Sequence, residues 1–158
     1  MKKLAVVLLV IFMSAPGLLS QDKEGVAKKV LAAYETFNTH KIESIREFAT
    51  EDFVDHTPFP GQQPGVQGLM DAFTLYFKAY PDIKYGIKDI IVNDELTKAV
   101  VLFRMTGTNT GDFMGMPATN KKIDIMGIDW LVIRGDKASE HWGYYDSETM
   151  MKQLGLMK

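Results

Sequence analysis

The chain has 158 residues, with 18 basic and 20 acidic side chains and a formal charge of −2. A mildly acidic protein lacks the basic surface that nucleic acids and anionic lipids require, so neither is expected as a partner. The chain has no cysteine, which excludes disulfide bonds and a lipidated cysteine.

The first twenty residues are typical of a cleavable secretory signal. Two lysines precede the apolar run Leu4–Met13, and the small residue Ser20 stands before a polar segment. The run is shorter than the ~20 residues of a comfortable membrane span. We therefore predict cleavage after Ser20, a secreted or periplasmic protein without stable membrane insertion, and a single domain over residues 21–158. An uncleaved N-terminal anchor is the alternative.

The first half of this domain is predicted to be helical. Apolar residues recur at intervals of three and four, which is the spacing of one helix face. The pattern predicts a first helix around residues 26–37, a short second helix around 42–48 and a third around 66–80. Pro81 ends the third helix, and the prolines and glycine of residues 58–64 mark a loop before it. No strand is predicted before Pro81.

After Pro81 the apolar residues alternate with polar ones, as in half-buried strands. Four strands are predicted, at residues 83–91, 99–108, 123–134 and 137–145. A final helical turn follows, capped by Asp146 or Ser147 and closed by Gly155. Helices followed by a run of antiparallel strands indicate an α+β fold, with a pocket between the helices and the sheet.

Asp129 interrupts the apolar side of the third predicted strand. The neighbouring odd and even positions are almost all apolar, so both faces of this strand are expected to be covered. An unpaired buried carboxylate costs several kcal/mol or takes a proton. Asp129 is therefore either tied down by neighbouring groups or available for acid–base chemistry in the pocket.

The same alternation predicts which other side chains share the pocket with Asp129. Odd positions on the neighbouring strands face the same side, and the segment Asp55–His56 lies before the third helix. The expected pocket residues are Phe103, Met105, Asn109, His141, Tyr145, Asp55 and His56. The three histidines, at 40, 56 and 141, show no metal-ligand spacing, so no metal site is expected.

Each of these polar residues also has a purely structural explanation. Asp129 could be satisfied in the core by His141 or Tyr145. His56 could bond to the backbone of a loop, and Asn109 could serve the turn at residues 108–111. The sequence by itself leaves these alternatives open.

Several segments together resemble the SnoaL-like polyketide (ester) cyclase family of the NTF2-like superfamily. The resemblance extends from about residue 24 to residue 155. The segments that carry it are Asp-Phe-Val-Asp-His at 52–56, Tyr-Pro-Asp at 80–82, residues 107–117, Glu-His-Trp at 140–142, Asp146, and Gln-Leu-Gly at 153–155.

The resemblance implies a cone-shaped α+β barrel in which N-terminal helices pack on a curved, mostly antiparallel sheet. In the characterised cyclases, pocket acid–base groups close a polyketide ester by an intramolecular aldol reaction without metal or cofactor. The implied pocket positions are Asp55, Asn109, Asp129 and His141. The chain departs from the family at Gly143, where the cyclases keep an acid–base Asp.

Two functions are consistent with these observations. The first is a cofactor-free acid–base enzyme of the cyclase or isomerase type, acting on a small apolar or aromatic substrate. Asp129, His141 and His56 would be its catalytic residues, with Asn109 or His56 donating to an oxyanion. The second is a non-catalytic binding module with the same pocket, which Gly143 favours. A homodimer is expected, mainly by resemblance, with the even-numbered Trp130, Trp142 and Tyr144 at its interface.

Overall fold

The computed structural model describes residues 22–113 and 115–158. The helical elements are α1 (Lys23–Asn38), a 3₁₀ turn (Ile42–Ser44), α2 (Ile45–Phe48), α3 (Gly65–Ala79) and α4 (Ser147–Leu154). The strands are β1 (Ala49–Asp55), β2 (Lys84–Val92), β3 (Lys98–Thr108), β4 (Lys122–Arg134) and β5 (Lys137–Tyr145). The α+β fold and the four predicted strands are confirmed.

The five strands form one sheet in the order β1-β5-β4-β3-β2. All neighbouring pairs are antiparallel except β1 and β5, which are parallel. The register places Asp55 beside His141 across the parallel pair, and Asp129 opposite Gly143 across the β4–β5 pair. Three strands therefore bring their polar residues to one region of the inner face.

The inner face of the sheet packs against α1 and α3. Odd positions such as Val101 and Ile123 are almost completely buried, at 0% and 1% exposure. The two helices also contact each other through Phe37 and Phe73, whose rings stack with centroids 4.5 Å apart. Burial of each large apolar side chain contributes roughly 1.5–3 kcal/mol, so this layer is the main source of stability.

Helix α4 is capped at both ends as the sequence predicts. Asp146 accepts a hydrogen bond from the Thr149 amide at 2.9 Å and begins α4. Gly155 ends the helix with φ at +73°, a left-handed conformation that suits glycine.

Two expectations from the sequence are wrong. Residues 49–55 form a fifth strand rather than a connection, because this segment adds to β5 at the sheet edge. The outer face of β4 is also not covered in the described chain, since Met126, Ile128 and Trp130 are 42%, 44% and 42% exposed. The helices pack only on the inner face, so the even positions have no layer above them.

Among the described residues, no helix is long and apolar enough to cross a membrane. The predicted signal segment and its cleavage site at Ser20 lie outside those residues.

Candidate functional site

A cavity of about 200 Å³ lies between the helices and the inner face of the sheet. Its wall is largely apolar and rich in aromatic rings, and helices and strands both contribute to it. The rings that line it include Tyr34, Phe37, Phe73, Tyr76, Tyr85, Phe103 and Phe113. Polar groups are concentrated at one place on this wall, where β1, β4 and β5 meet.

The imidazole of His141 lies between two carboxylates in this polar region. Its Nδ1 is 3.1 Å from Oδ1 of Asp55, and its Nε2 is 3.1 Å from Oδ1 of Asp129. Both carboxylates are acceptors, so both ring nitrogens are best satisfied when each carries a proton. The arrangement therefore favours an imidazolium with one carboxylate on each side.

Each carboxylate has a second set of partners. The phenol of Tyr34 on α1 donates a hydrogen bond to Oδ2 of Asp129. Asp55 accepts from the Thr57 amide and from Nε2 of Gln62, both at 3.0 Å. The four groups from Tyr34 to Asp55 thus form one continuous chain across the inner face.

The pKa values follow from this arrangement. Burial by itself lowers the pKa of His141, but the interactions with Asp129 and Asp55 outweigh it and raise the pKa to about 9. Burial opposes ionisation of Asp55, but hydrogen bonds and charge from His141 bring the pKa of Asp55 below its ordinary value. Burial, followed by the charge of Asp129, raises the pKa of Tyr34 well above its ordinary value. At neutral pH, His141 is therefore charged and Tyr34 is a neutral hydrogen-bond donor.

Because residue 143 is a glycine without a side chain, the imidazole of His141 can occupy the space above it. A Cβ atom on residue 143 would lie 2.9 Å from Cε1 of His141 and 3.1 Å from Oδ1 of Asp129. Both distances are shorter than or at the limit of ordinary contacts, so a side chain here would displace one of the two groups. The missing side chain allows His141 to reach over Gly143, its neighbour but one on β5, to Asp129 on β4.

The family follows from the sequence. A family model described as SnoaL-like polyketide cyclase matches residues 28–154. The chain belongs to the SnoaL-like family.

Solved structures of similar fold agree with this assignment. A candidate polyketide cyclase from Bacillus cereus ATCC 10987 is 32% identical, with 85% of this chain and 80% of that chain covered and a TM-score of 0.68. TsrD from Streptomyces laurentii is 20% identical, with coverages of 87% and 99% and a TM-score of 0.78. AclR from Streptomyces galilaeus, a candidate hydroxylase, is 18% identical, with coverages of 87% and 100% and a TM-score of 0.74. The last two likenesses show the NTF2-like fold alone. No match was found among functionally curated proteins.

The cavity of this SnoaL-like protein contains most of the residues expected from the sequence. Asp55, Asp129, His141 and Tyr145 line it, together with the apolar pair Phe103 and Met105. The phenol that contacts Asp129 is nevertheless Tyr34 of α1 rather than the expected Tyr145.

The structure does not bring His56 and Asn109 into the cavity. His56 is on the outer side, where it stacks on Trp142 with centroids 3.8 Å apart and pairs with Glu140 at 2.8 Å. It follows Asp55 directly, and successive strand residues point to opposite faces. Asn109 is buried at 4% exposure and holds its own loop, donating to the Gly111 carbonyl and accepting from the Thr119 amide. The structural explanation therefore describes Asn109, which serves its own turn, whereas His56 contacts the side chains of Trp142 and Glu140 rather than the loop backbone.

Sequence reasoning missed Tyr34 and Thr57. Tyr34 is four residues after Val30 and eight after Val26, so helix periodicity places its phenol on the buried face of α1. That signal was available, but it does not name Asp129 as the partner. Thr57 hydroxyl accepts from the Gly143 amide at 2.7 Å, a contact that depends on the unexpected strand β1.

Among residues 22–113 and 115–158, no group of three or more His, Cys, Asp or Glu side chains is arranged to hold a metal ion.

Proposed function

We propose that this protein binds a small apolar or aromatic molecule and catalyses a proton transfer on it with its own side chains. The observation that carries the proposal is the position of Asp129. It is a carboxylate on an otherwise apolar cavity wall, and His141 and Tyr34 hold it in a fixed place. A well-placed acid–base group of this kind contributes roughly 10²–10⁴ in rate.

In this proposal Asp129 is the base. His141 orients it and keeps a positive charge beside it, while Tyr34 fixes its other oxygen. Removal of a proton next to a carbonyl creates an oxyanion, which needs a donor that stays protonated. The phenol of Tyr85 suits that role because it lines the cavity, and burial followed by the charge of Asp129 raises its pKa far above the ordinary value. Tyr145 is the second phenol available.

The size of the cavity limits the substrate. An apolar cavity of roughly 150 Å³ holds a benzene molecule, and this cavity is about 200 Å³. A molecule of one or two rings fits the enclosed part, and a larger one would extend through the mouth. A ketone or ester with an acidic C–H is the substrate class that this base and these phenols would serve. That class is compatible with the polyketide cyclase named in the family description.

The proposal is tested by hydrogen–deuterium exchange on 2-tetralone, a neutral two-ring ketone. Exchange at the carbon next to the carbonyl is followed by proton NMR in D₂O, with ligand affinity measured on the same samples. We expect Asp129→Asn to lose at least about 10²-fold of the enzyme-dependent rate. The matched control is Asp89→Asn, which makes the same change at an exposed position on β2.

A non-catalytic binding module is the second candidate. It is supported by the charge arrangement itself, because His141 has both ring nitrogens occupied by carboxylates and cannot easily deliver a proton elsewhere. If the wild type and Asp129→Asn exchange 2-tetralone equally slowly while binding it, the enzyme proposal is wrong and the binding module stands.

We also propose that the protein is exported and forms a homodimer. The outer face of the sheet exposes Trp130 and Tyr144 at 42% and 61%, an apolar surface that a second copy would cover. Light scattering on wild type and Trp130→Glu tests this, with a monomer expected for the variant alone. Mass spectrometry of the protein recovered from its host tests whether it begins at residue 21.

A further inference from the structure

The cavity has an unbalanced negative charge. Asp55 and Asp129 contribute two carboxylates and His141 contributes one positive charge, which leaves one negative charge in an aromatic surrounding. Lys29 and Asp136 are the other charged residues among the described lining, and they pair with each other at 3.1 Å. Their charges cancel at the rim and do not offset the negative charge inside.

The geometry fixes this charge count. Both ring nitrogens of His141 are 3.1 Å from carboxyl oxygens, so the ring is satisfied either as an imidazolium between two carboxylates or as a neutral ring beside one protonated carboxyl group. The three groups carry one net negative charge in both cases. Tyr34 is a neutral donor to Asp129. A carboxylate has about four acceptor positions, and the contacts from His141 and Tyr34 use two of those on Asp129. Asp129 therefore retains capacity to accept a donor that enters the cavity.

The wall beside Asp129 is suited to a cation. The rings of Tyr34, Tyr85 and Phe103 lie together, with centroids 5.5 Å apart for Tyr85 and Phe103 and 5.9 Å apart for Tyr34 and Tyr85. Aromatic faces attract ammonium groups, most strongly where water is excluded. The faces of these rings are electron-rich and disfavour a carboxylate placed against them, and such a carboxylate would also meet the negative charge of Asp129.

We propose that this cavity selects its ligands by charge, favouring an aromatic molecule that carries a protonated amine and rejecting one that carries a carboxylate. The inference rests on the proposed binding of a small aromatic ligand, and it does not require turnover. It names the ligand class more narrowly than the size and apolar character of the cavity do.

The test is calorimetric binding of three probes of nearly equal shape: 2-phenylethylammonium, 2-phenylethanol and phenylacetate. At about pH 6 the amine and the acid are both ionised, and His141 is protonated. We expect the amine to bind about tenfold more tightly than the alcohol, and phenylacetate to bind about tenfold more weakly than the alcohol. Asp129→Asn removes the net negative charge, so the difference between amine and alcohol should fall to less than about threefold.

The exposed Asp89→Asn is the matched control and should keep the ranking of the wild type. Asp55→Asn removes the same charge from a different strand and replaces Asp129→Asn if that variant does not fold. Equal affinity for amine and phenylacetate in the wild type would overturn the charge selection while leaving the pocket as a ligand site. Failure of all three probes to bind would overturn both this inference and the proposed binding function. An unchanged ranking in folded Asp129→Asn and Asp55→Asn would also overturn the inference.

Discussion

The charge on His141 should make the stability of this protein depend on pH in the alkaline range. Its pKa rises from 6.5 in the unfolded chain to about 9 in the folded protein, a difference of about 2.5 units. Because the folded pKa is raised, the contribution is fully present below about pH 6.5 and is lost as the pH rises through about 9. At about 1.36 kcal/mol per unit, the contribution is about 3 kcal/mol. The side chain is only 21% exposed, so solvent does not screen most of this effect.

The perturbation is His141→Gln, which removes the titrating group and leaves Asp55 and Asp129 facing each other without a cation. At about pH 6 this variant should be about 3 kcal/mol less stable than the wild type, in the range expected for breaking a buried charge pair. Near pH 10 the wild-type imidazole is neutral, so the difference should shrink to less than about 1 kcal/mol.

The assay is urea unfolding of both proteins across this pH range, since lysines and tyrosines titrate in both and cancel in the difference. Proton NMR of the imidazole gives an independent value, because His141→Gln identifies the His141 signal among the three histidines. A His141 signal that titrates near 6.5, together with a stability difference that does not change with pH, would refute the reasoning.

Two further substitutions test the same network. Tyr34→Phe removes the donor to Asp129 and nothing else, so urea unfolding should show a loss of roughly 1.5–3 kcal/mol, the usual range for a hydrogen bond to a charged group. A loss below about 0.5 kcal/mol would mean that Tyr34 does not support Asp129. Gly143→Ala places a methyl group about 3 Å from both His141 and Asp129, so we expect a loss of about 1–3 kcal/mol and a lower His141 pKa by NMR. An unchanged pKa would show that the glycine is not needed for the His141–Asp129 contact.

The sequence predicts the inner face of the sheet well. Two-residue alternation in β3, β4 and β5 is a local signal, and it places Phe103, Met105, Asp129 and His141 on one side. The register between strands is not local, so the alternation cannot show that His141 reaches diagonally to Asp129 rather than directly across its own pair.

The parts that the sequence did not predict depend on long-range pairing. β1 carries three acidic residues among its seven and buries mainly Ala49 and Phe53, so it lacks the alternation of a typical strand. Its pairing with β5 supplies its stability and places Asp55 beside His141. Tyr34 reaches Asp129 across 95 positions in the chain, a contact that no local pattern encodes. The sequence predicts no strand at Asp55–His56 and so places both side chains at the pocket, whereas strand geometry sends these neighbours to opposite faces.

The glycine at 143 and the acid at 129 are one structural feature. They are direct partners across β4 and β5, and the imidazole of His141 fills the space above the glycine. An Asp at position 143 would bring a third carboxylate within contact distance of the same imidazolium, which can neutralise only one negative charge. One of the three acids would then have to take a proton or move away. A side chain at 143 would therefore require the His141–Asp129 contact to shift, and in the present arrangement the carboxylate that faces this imidazole across the β4–β5 pair is that of Asp129.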